Sequence, residues 1–480
     1  MVDITEGDQD AGSTSRAPGS RVPLLVTAAA TLTALVLGLF RLGRLSLWYD
    51  EAQTVGTVDR PLGDALWRIS HWEVNQSPFY LLVAGWIRLG DSEAFLRFLS
   101  VAAFVGTVPL LFLLGRRLAD ARVGALAAVL FALHGFTLEW AQQLRGYALV
   151  TCLVTLATLL LVRLLEAPST RRALAYGLVA ALAAYTQFFA LLVIGVHVVT
   201  VALVRPRGPD RRPFFVAAAT LAVALAPLAL FLLTQEGDPI YWVEDPSGGQ
   251  VLDTLSDLSG GGRGQLLAYG VAGALGVAAA FQAVRSRGWS SAWRLLLPVL
   301  WVVLPLGFTV LSSATVKPLL VSRFLLVVVP GLILVAAIGV VHLVDHAPRG
   351  VAVLALGGLL VASLLGVRAT VERPPFEDWR NAVALVADGA EPGDVVVTVP
   401  GRAVHAVRYY ADPAAVPEEA LRSPGDLGDL SGDQVWVLSR RREEAVPNDR
   451  EVFELALEEQ FRLAEETAFH GIEVRRYERR

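Results

Sequence analysis

Apolar runs long enough to cross a bilayer recur from residue 22 to residue 367 and then stop. About 20 mostly apolar residues suffice for one crossing. The first run, residues 22–40, is too long for a cleaved leader and lacks a small-residue cleavage pattern, so it reads as a retained span. The connections between runs are of two kinds. One kind is rich in arginine: 116–122, 163–172, 205–212, 285–294 and, more weakly, 346–349. The other carries aromatic, acidic and amide groups, around Asp50 and at 142–147, 185–188, 235–264 and 312–323. The two kinds alternate without a break if there are about eleven spans. Short loops rich in Lys and Arg face the cytoplasm. The N-terminus is then inside, and Asp50 and the chain after Arg368 are outside.

Residues 78–89 are apolar but short. Counting them as a crossing would break the alternation, so the first external loop is expected at about 42–93, with interfacial helices, and the second span at 94–114. Residues 185–187 interrupt an apolar region and predict a tight external turn. Residues 1–20 are polar and read as a disordered cytoplasmic tail. From residue 369 the pattern changes. Residues 395–400 and 435–438 predict buried strands, 376–388 and 451–465 amphipathic helices, and 472–477 a closing strand. The expected fold class is a polytopic α-helical membrane protein, with a transmembrane module at 21–368 and a small extracytoplasmic α/β domain at 369–480.

Composition sharpens this picture. The 480 residues are 54% hydrophobic and only 18% charged, where soluble proteins carry about 25% charged residues. A net charge of -4 gives no reason to expect nucleic acid as a partner. A single cysteine excludes an internal disulfide and a cysteine metal cluster. Neither a phosphate loop nor a dinucleotide signature is present.

The candidate chemistry lies in the second kind of connection. Leu47-Trp48-Tyr49-Asp50-Glu51-Ala52 places two acids just past the first span. Carboxylates near hydrocarbon are costly, roughly 2.5–3.5 kcal/mol at a span centre. Two of them at an exit point to acid/base work, or to acids that cap the next helix. Further acids (Glu73, Glu139) and cations (Arg97, Arg145, Arg323 and Lys317, the only lysine) share these connections. Arg145 is also near enough in sequence to pair with Glu139. Sugar transfer from a lipid phosphate needs such a set: a carboxylate to deprotonate a hydroxyl, and cations to hold the departing phosphate. The aromatic residues Trp48, Tyr49, Trp72, Trp86 and Trp140 read mainly as an interfacial belt.

Five blocks, in order, resemble the GT-C-fold glycosyltransferases that use polyprenyl-phosphate sugars, among them the protein O-mannosyltransferases (glycosyltransferase family 39) and aminoarabinose transferases. They are the Asp50-Glu51 block; His71-Trp72-Glu73-Val74-Asn75-Gln76-Ser77-Pro78-Phe79-Tyr80; Gly90-Asp91-Ser92-Glu93 through Arg97; Trp140-Ala141-Gln142-Gln143-Leu144-Arg145-Gly146-Tyr147; and Arg323-Phe324-Leu325 with Pro330. The chain departs from the family pattern at Gln76, Ser77, Gln143 and Gly146, where the family often has histidine, proline, glutamate and proline. The resemblance implies an inverting transferase, with mannose as first guess for the sugar. Asp50 would be the general base and Glu51 its catalytic partner. Arg145, Arg323, Arg97, Lys317, Gln142 and Tyr147 would face the donor phosphate or sugar, and Glu73, Asn75, Glu139 and Tyr80 the acceptor cavity. The implied partners are the lipid-linked donor, a glycan, lipid or protein acceptor, and the bilayer of the cell membrane. The protein-mannosyl and aminoarabinose branches need no metal, so no cofactor is expected. A transporter of lipid-linked sugars, or a membrane-anchored binding protein, remains as an alternative; His405, Arg408, Tyr409 and Tyr410 could then face the site or simply form a helix surface.

Overall fold

The computed structural model describes residues 21–206, 208–234, 243, 246–422, 424, 432–441, 453–455 and 457–480. The expected tail at 1–20 and much of the connection at 235–247 lie outside these residues.

The first long helix, α1 (Val22–Leu39), begins with Pro23 in its first turn, where a missing N–H costs nothing. Three short helices follow: α2 (Tyr49–Val58), α3 (Leu62–His71) and α4 (Ser77–Trp86). Each has 10 residues, about half of a crossing at 1.5 Å per residue. They occupy the stretch where the first loop, at about 42–93, is expected. The bundle continues through α5 (Glu93–Leu118), α6 (Ala121–Ala132), α7 (Gly135–Ala141), α8 (Tyr147–Glu166), α9 (Thr170–Thr186), α10 (Ala190–Val204), α11 (Arg212–Thr234), α12 (Gly248–Leu258), α13 (Arg263–Arg287), α14 (Trp289–Thr315), α15 (Val329–His346) and α16 (Arg349–Glu372).

Among the described residues, 8 helices are long and apolar enough to span, or 9 if the pair α6–α7, bent by 59°, counts as one crossing. Two shorter helices between these bring the number to the eleven expected. These two, α9 and α10, have 17 and 15 residues, short of a full hydrocarbon thickness at their rise. They are joined by the tight turn expected near Gln187. The bend in α6–α7 arises where His134 breaks the ladder and Nδ1 of its ring accepts from Thr137 N at 3.3 Å.

Burial sorts the helices. The span that ends in α15 is 83% buried, whereas α11 is 11% buried and turns its Leu and Val side chains outward. Tight crossing in the centre depends on small residues: a Cβ on Gly339 would lie 2.0 Å from the Ala272 carbonyl oxygen of α13. At one end of the bundle Glu166 bridges Arg117 and Arg294, and Asp345 bridges Arg122. That end is opposite to the start of α5, where Asp50 and the short helices lie.

The chain then forms a small domain: α17 (Trp379–Gly389), β1 (Val395–Val399), α18 (Val404–Tyr410), β2 (Leu421–Arg422), β3 (Gln434–Arg440), β4 (Phe461–Phe469) and β5 (Ile472–Arg479). The sheet order is β2-β1-β3-β5-β4, with β2, β1 and β3 parallel and β5 and β4 antiparallel. The expected strands at 395–400, 435–438 and 472–477 are all present. The expected helix at 451–465 is corrected: from Phe461 the chain is strand β4, because Phe461 fills the sheet core while the following Arg and Glu side chains stay in water.

The domain is fastened to α2. Glu377 accepts from Tyr49 N, Trp379 Nε1 and Arg440 Nε, each at 2.7 Å. Leu47 N donates to the Tyr410 hydroxyl at 2.6 Å, and that hydroxyl donates to Glu93. Tyr409 donates to the Asp91 carbonyl at 2.7 Å. Tyr409 and Tyr410 therefore serve the junction. Trp48 and Trp140, expected in an interfacial belt, instead pack with Phe376 beneath the domain.

Candidate active site

Helix α2 starts at the mouth of the bundle because its first N–H groups find carboxylates. Glu51, in its first turn, accepts from Trp48 N at 3.3 Å, and Glu377 takes Tyr49 N. The two acids of the sequence pair then part company.

Glu51 points inward and is completely buried. It accepts from Arg97 Nε at 2.8 Å, Arg97 Nη2 at 2.6 Å and Leu144 N at 2.6 Å. The remaining donors of Arg97 go to the carbonyls of Leu42, Leu45 and Ser46. All five guanidinium N–H groups are thus used. The knot ties α5, the approach to α2 and the segment before Arg145 into one unit. This corrects two expectations. Glu51 is fully buried rather than open to substrate, and every guanidinium donor of Arg97 goes to it or to neighbouring carbonyls.

Asp50 is half-buried on the other side of α2. Among the described residues no hydrogen bond reaches its carboxylate; its backbone carbonyl accepts from Thr54 Oγ1 and, at 3.4 Å, from Arg145 Nη1. The same Arg145 nitrogen donates to Thr54 Oγ1 and to the Tyr80 hydroxyl, both at 3.1 Å. Glu73 lies against Arg145 and Tyr80 and feels Asp50. Burial pushes the Glu73 carboxyl above its usual range, and Asp50 adds to that, while Arg145, Tyr80 and Arg402 pull it back. Burial disfavours the charge on Arg145, yet the oxygens of Tyr80, Asp50, Tyr147 and Glu73 hold it firmly protonated. Among the described residues, Arg145 Nε and the indole N–H groups of Trp140 and Trp48 have no acceptor. Buried donors without acceptors are rare in folded proteins and mark places where a bound group can supply oxygens.

The other expected residues divide. Tyr147 is buried at the edge of the cluster, 5.0 Å ring-to-ring from Trp140. Arg323 opens the 3-10 turn Ser322–Val328, with its guanidinium 5.9 Å from the Trp140 ring and 5.5 Å from Phe324. It meets the site through this aromatic wall. Lys317 is half-buried in the connection after α14. Gln142 Nε2 donates to the carbonyls of Leu37, Gly38 and Phe40, closing the end of α1. Asn75 accepts from Phe188 N at 3.3 Å and pins the turn after α9. Glu139 pairs with Arg373 rather than with Arg145. Arg373, Glu377 and Arg402 had no signal in the sequence. They sit in loops whose position against α2 depends on a domain docked more than 300 residues downstream. No group of three His, Cys, Asp or Glu side chains with the geometry of a metal site occurs among the described residues.

With this geometry in hand, likeness to known proteins is informative. Residues 77–233, about a third of the chain, match the family described as dolichyl-phosphate-mannose-protein mannosyltransferase. No match is found among curated proteins. The fold is similar to that of ArnT from Cupriavidus metallidurans bound to undecaprenyl phosphate, with a TM-score of 0.62 and 12% identity over 95% of this chain and 98% of that one. It is also similar to the oligosaccharyltransferase AglB from Archaeoglobus fulgidus in complex with an inhibitory peptide and a dolichol-phosphate, with a TM-score of 0.56 and 10% identity over 95% of this chain and 74% of that one. The chain is a multi-pass membrane protein with the GT-C fold of the polyprenyl-phosphate-dependent glycosyltransferases.

Proposed function

We propose that the protein is an inverting glycosyltransferase that moves a sugar from a polyprenyl-phosphate donor to an acceptor hydroxyl. One observation carries this reading: the Asp50 carboxylate, with no hydrogen bond among the described residues, acts by its charge on Arg145, a cation whose Nε–H has no acceptor among them. Asp50 takes the proton of the acceptor hydroxyl as that oxygen attacks the anomeric carbon from the face opposite the phosphate. The bond from that carbon to the phosphate oxygen breaks, and polyprenyl phosphate departs with the electron pair. Arg145 meets the growing charge, and Tyr80 and Thr54 keep its guanidinium in place. Arg323, Lys317 and Tyr147 line the donor side, and Glu73 the acceptor side.

The arginine-rich end of the bundle supports a cytoplasmic assignment for that end. The N-terminus is then cytoplasmic, and Asp50 and the α/β domain are outside the cell membrane. Mannose is the first sugar to try, since the matching family is named for it.

The test uses purified protein in proteoliposomes with a panel of radiolabelled polyprenyl-phosphate sugars. One of them should be consumed, and Asp50→Asn should lower turnover by about 10²–10⁴-fold, the usual share of a general base. Its melting midpoint should match that of wild type. Undiminished transfer by Asp50→Asn would refute the assignment.

A further inference from the structure

The seam between α2, α3 and the C-terminal domain gathers positive charge that the transfer step above does not use. Arg60 follows the end of α2, Arg68 lies on α3, Arg402 in the 3-10 turn Gly401–Ala403, and Arg408 on α18. His405 marks their centre. Its ring fills a gap over α2 that exists only because residue 56 is glycine: a Cβ there would come within 2.3 Å of the ring. Burial, and then the charges of Arg408, Arg60, Arg68 and Arg402, push this imidazole down to about 4. His405 thus sits in the field of four guanidinium groups, from the end of α2, from α3 and from the continuous stretch Gly401–Tyr410.

The carboxylates nearby are fewer. Glu418 pairs with Arg408, and the exposed Asp64 lies near Arg60. Arg60 is held in place by a 2.7 Å bond from its Nε to the Gly56 carbonyl, and Arg68 lies 4.8 Å over the Trp72 ring. Arg402 is exposed, and its charge acts on Tyr49 and Glu73 as well as on His405. The field of the charged patch thus extends from the solvent edge to Tyr49 and Glu73, the residues beside Asp50 in sequence and in the cluster. Like charges collected by a fold repel one another, and a guanidinium fork matches the oxygens of phosphate or carboxylate.

We propose that this seam is a binding subsite for an anionic group, phosphate or carboxylate, carried by the acceptor, with Arg60 and Arg402 as its main ligands. The proposal rests on the transferase reading, because Arg402 is what joins the seam to Asp50. It gives the acceptor a chemical class: a hydroxyl compound with a negative group away from the oxygen that reacts. The domain after residue 369 then takes part in acceptor choice, since it supplies Arg402, His405 and Arg408.

The probe is inorganic pyrophosphate, titrated calorimetrically into full-length protein in phosphatidylcholine nanodiscs with no donor present. Saturable binding that weakens with salt is expected. In Arg60→Gln/Arg402→Gln the affinity should fall about tenfold or more, as for loss of charge-assisted bonds. Arg402→Gln alone changes an exposed side chain, cannot unfold the protein, and should give part of that loss. Absence of saturable binding, or equal binding by the variants, overturns the proposal. Loss of pyrophosphate binding when the nanodiscs contain phosphatidylglycerol would assign the seam to bilayer headgroups, and would overturn the acceptor as the source of the anion. Donor consumption by the wild-type protein is measured separately. Pyrophosphate binding without donor consumption sinks the transferase reading, whereas donor consumption without pyrophosphate binding sinks only the seam.

Discussion

Two polar centres meet at α2, one peptide bond apart. Within the Glu51–Arg97 pair every donor and both carboxylate oxygens are matched and water is excluded. Around Asp50 the carboxylate stays half-buried and, among the described residues, unbonded, and the neighbouring Arg145 keeps an N–H unmatched among them. The same side-chain chemistry serves opposite ends because a helix turns successive residues about 100° apart. A saturated centre can fix geometry but cannot accept a proton. An unsaturated one can react, but needs something else to hold it still. The knot at Glu51 supplies that hold, since it grips both the residue after Asp50 and the residue before Arg145.

The largest test of this contrast is Glu51→Gln. It leaves the Arg97 cation buried without its counter-charge, and loss of one partner of a buried pair costs about 3–5 kcal/mol. A marked drop in melting midpoint is expected, with transfer activity falling alongside, while Asp50→Asn melts like wild type. If Glu51→Gln melts normally and only turnover is lost, Glu51 belongs to the reacting centre and the contrast is wrong. Next in size is Arg145→Gln. Removal of a charged group that stabilises the departing phosphate should lower kcat by about 10²–10³-fold. Arg145→Lys should recover only part of this, because an ammonium cannot copy the fork that bonds Thr54 and Tyr80. Equal kcat in all three proteins would place the donor phosphate elsewhere.

The sequence revealed the bundle, the stretch between α1 and α5 whose helices are too short to cross, and the neighbourhood of Asp50, Arg145, Glu73 and Tyr80. Apolar run length and the alternation of loop types depend on the bilayer alone, so they can be read locally. What it could not reveal was which of two adjacent acids is buried. That depends on Arg97, 46 residues away. Gln142 looked like a sugar ligand because it sits in the Arg145 block, but the end of α1 needed an amide there. Arg402 stayed hidden for a similar reason, and His405 could be read only as facing the site or lying on a helix surface, since only the docked domain brings them to α2. The expected helix at 451–465 failed where the 3.6-residue period of Phe461 and its neighbours also fitted an edge strand.

A smaller effect probes how Arg145 is presented. Gln76 and Gly146 both depart from the family pattern, and they touch: Gly146 N donates to Gln76 Oε1 at 3.0 Å. The family's proline at this position has no N–H to give. Gly146 has φ -69°, an angle that proline adopts readily. Gly146→Pro therefore tests the bond and the fit more than the backbone. An added Cβ would sit 3.3 Å from Gln76 Oε1 and from Phe79 Cβ, and an orphaned buried carbonyl costs about 1–3 kcal/mol. A modest fall in melting midpoint and a rise in KM are expected, and an unchanged protein would show that the two departures are independent.

The smallest effect concerns the seam and has a sign fixed by titration. His405 has its imidazole pushed down from 6.5 to about 4, by burial first and then by four arginines. The fold therefore prefers the neutral ring. Stability from this preference is fully present above the unfolded value and drains away as pH falls through about 4. Melting midpoints taken from pH 7 down to pH 4 should fall for wild type. His405→Gln cannot take up that proton, so its midpoints should fall less over the same window. Bound pyrophosphate should flatten the wild-type slope as well, because an anion at Arg60 and Arg402 offsets the charge that opposes protonation. Parallel slopes for wild type and His405→Gln would mean that the ring is open to water. The docking of α18 on Gly56 would then be looser than the contact between them implies.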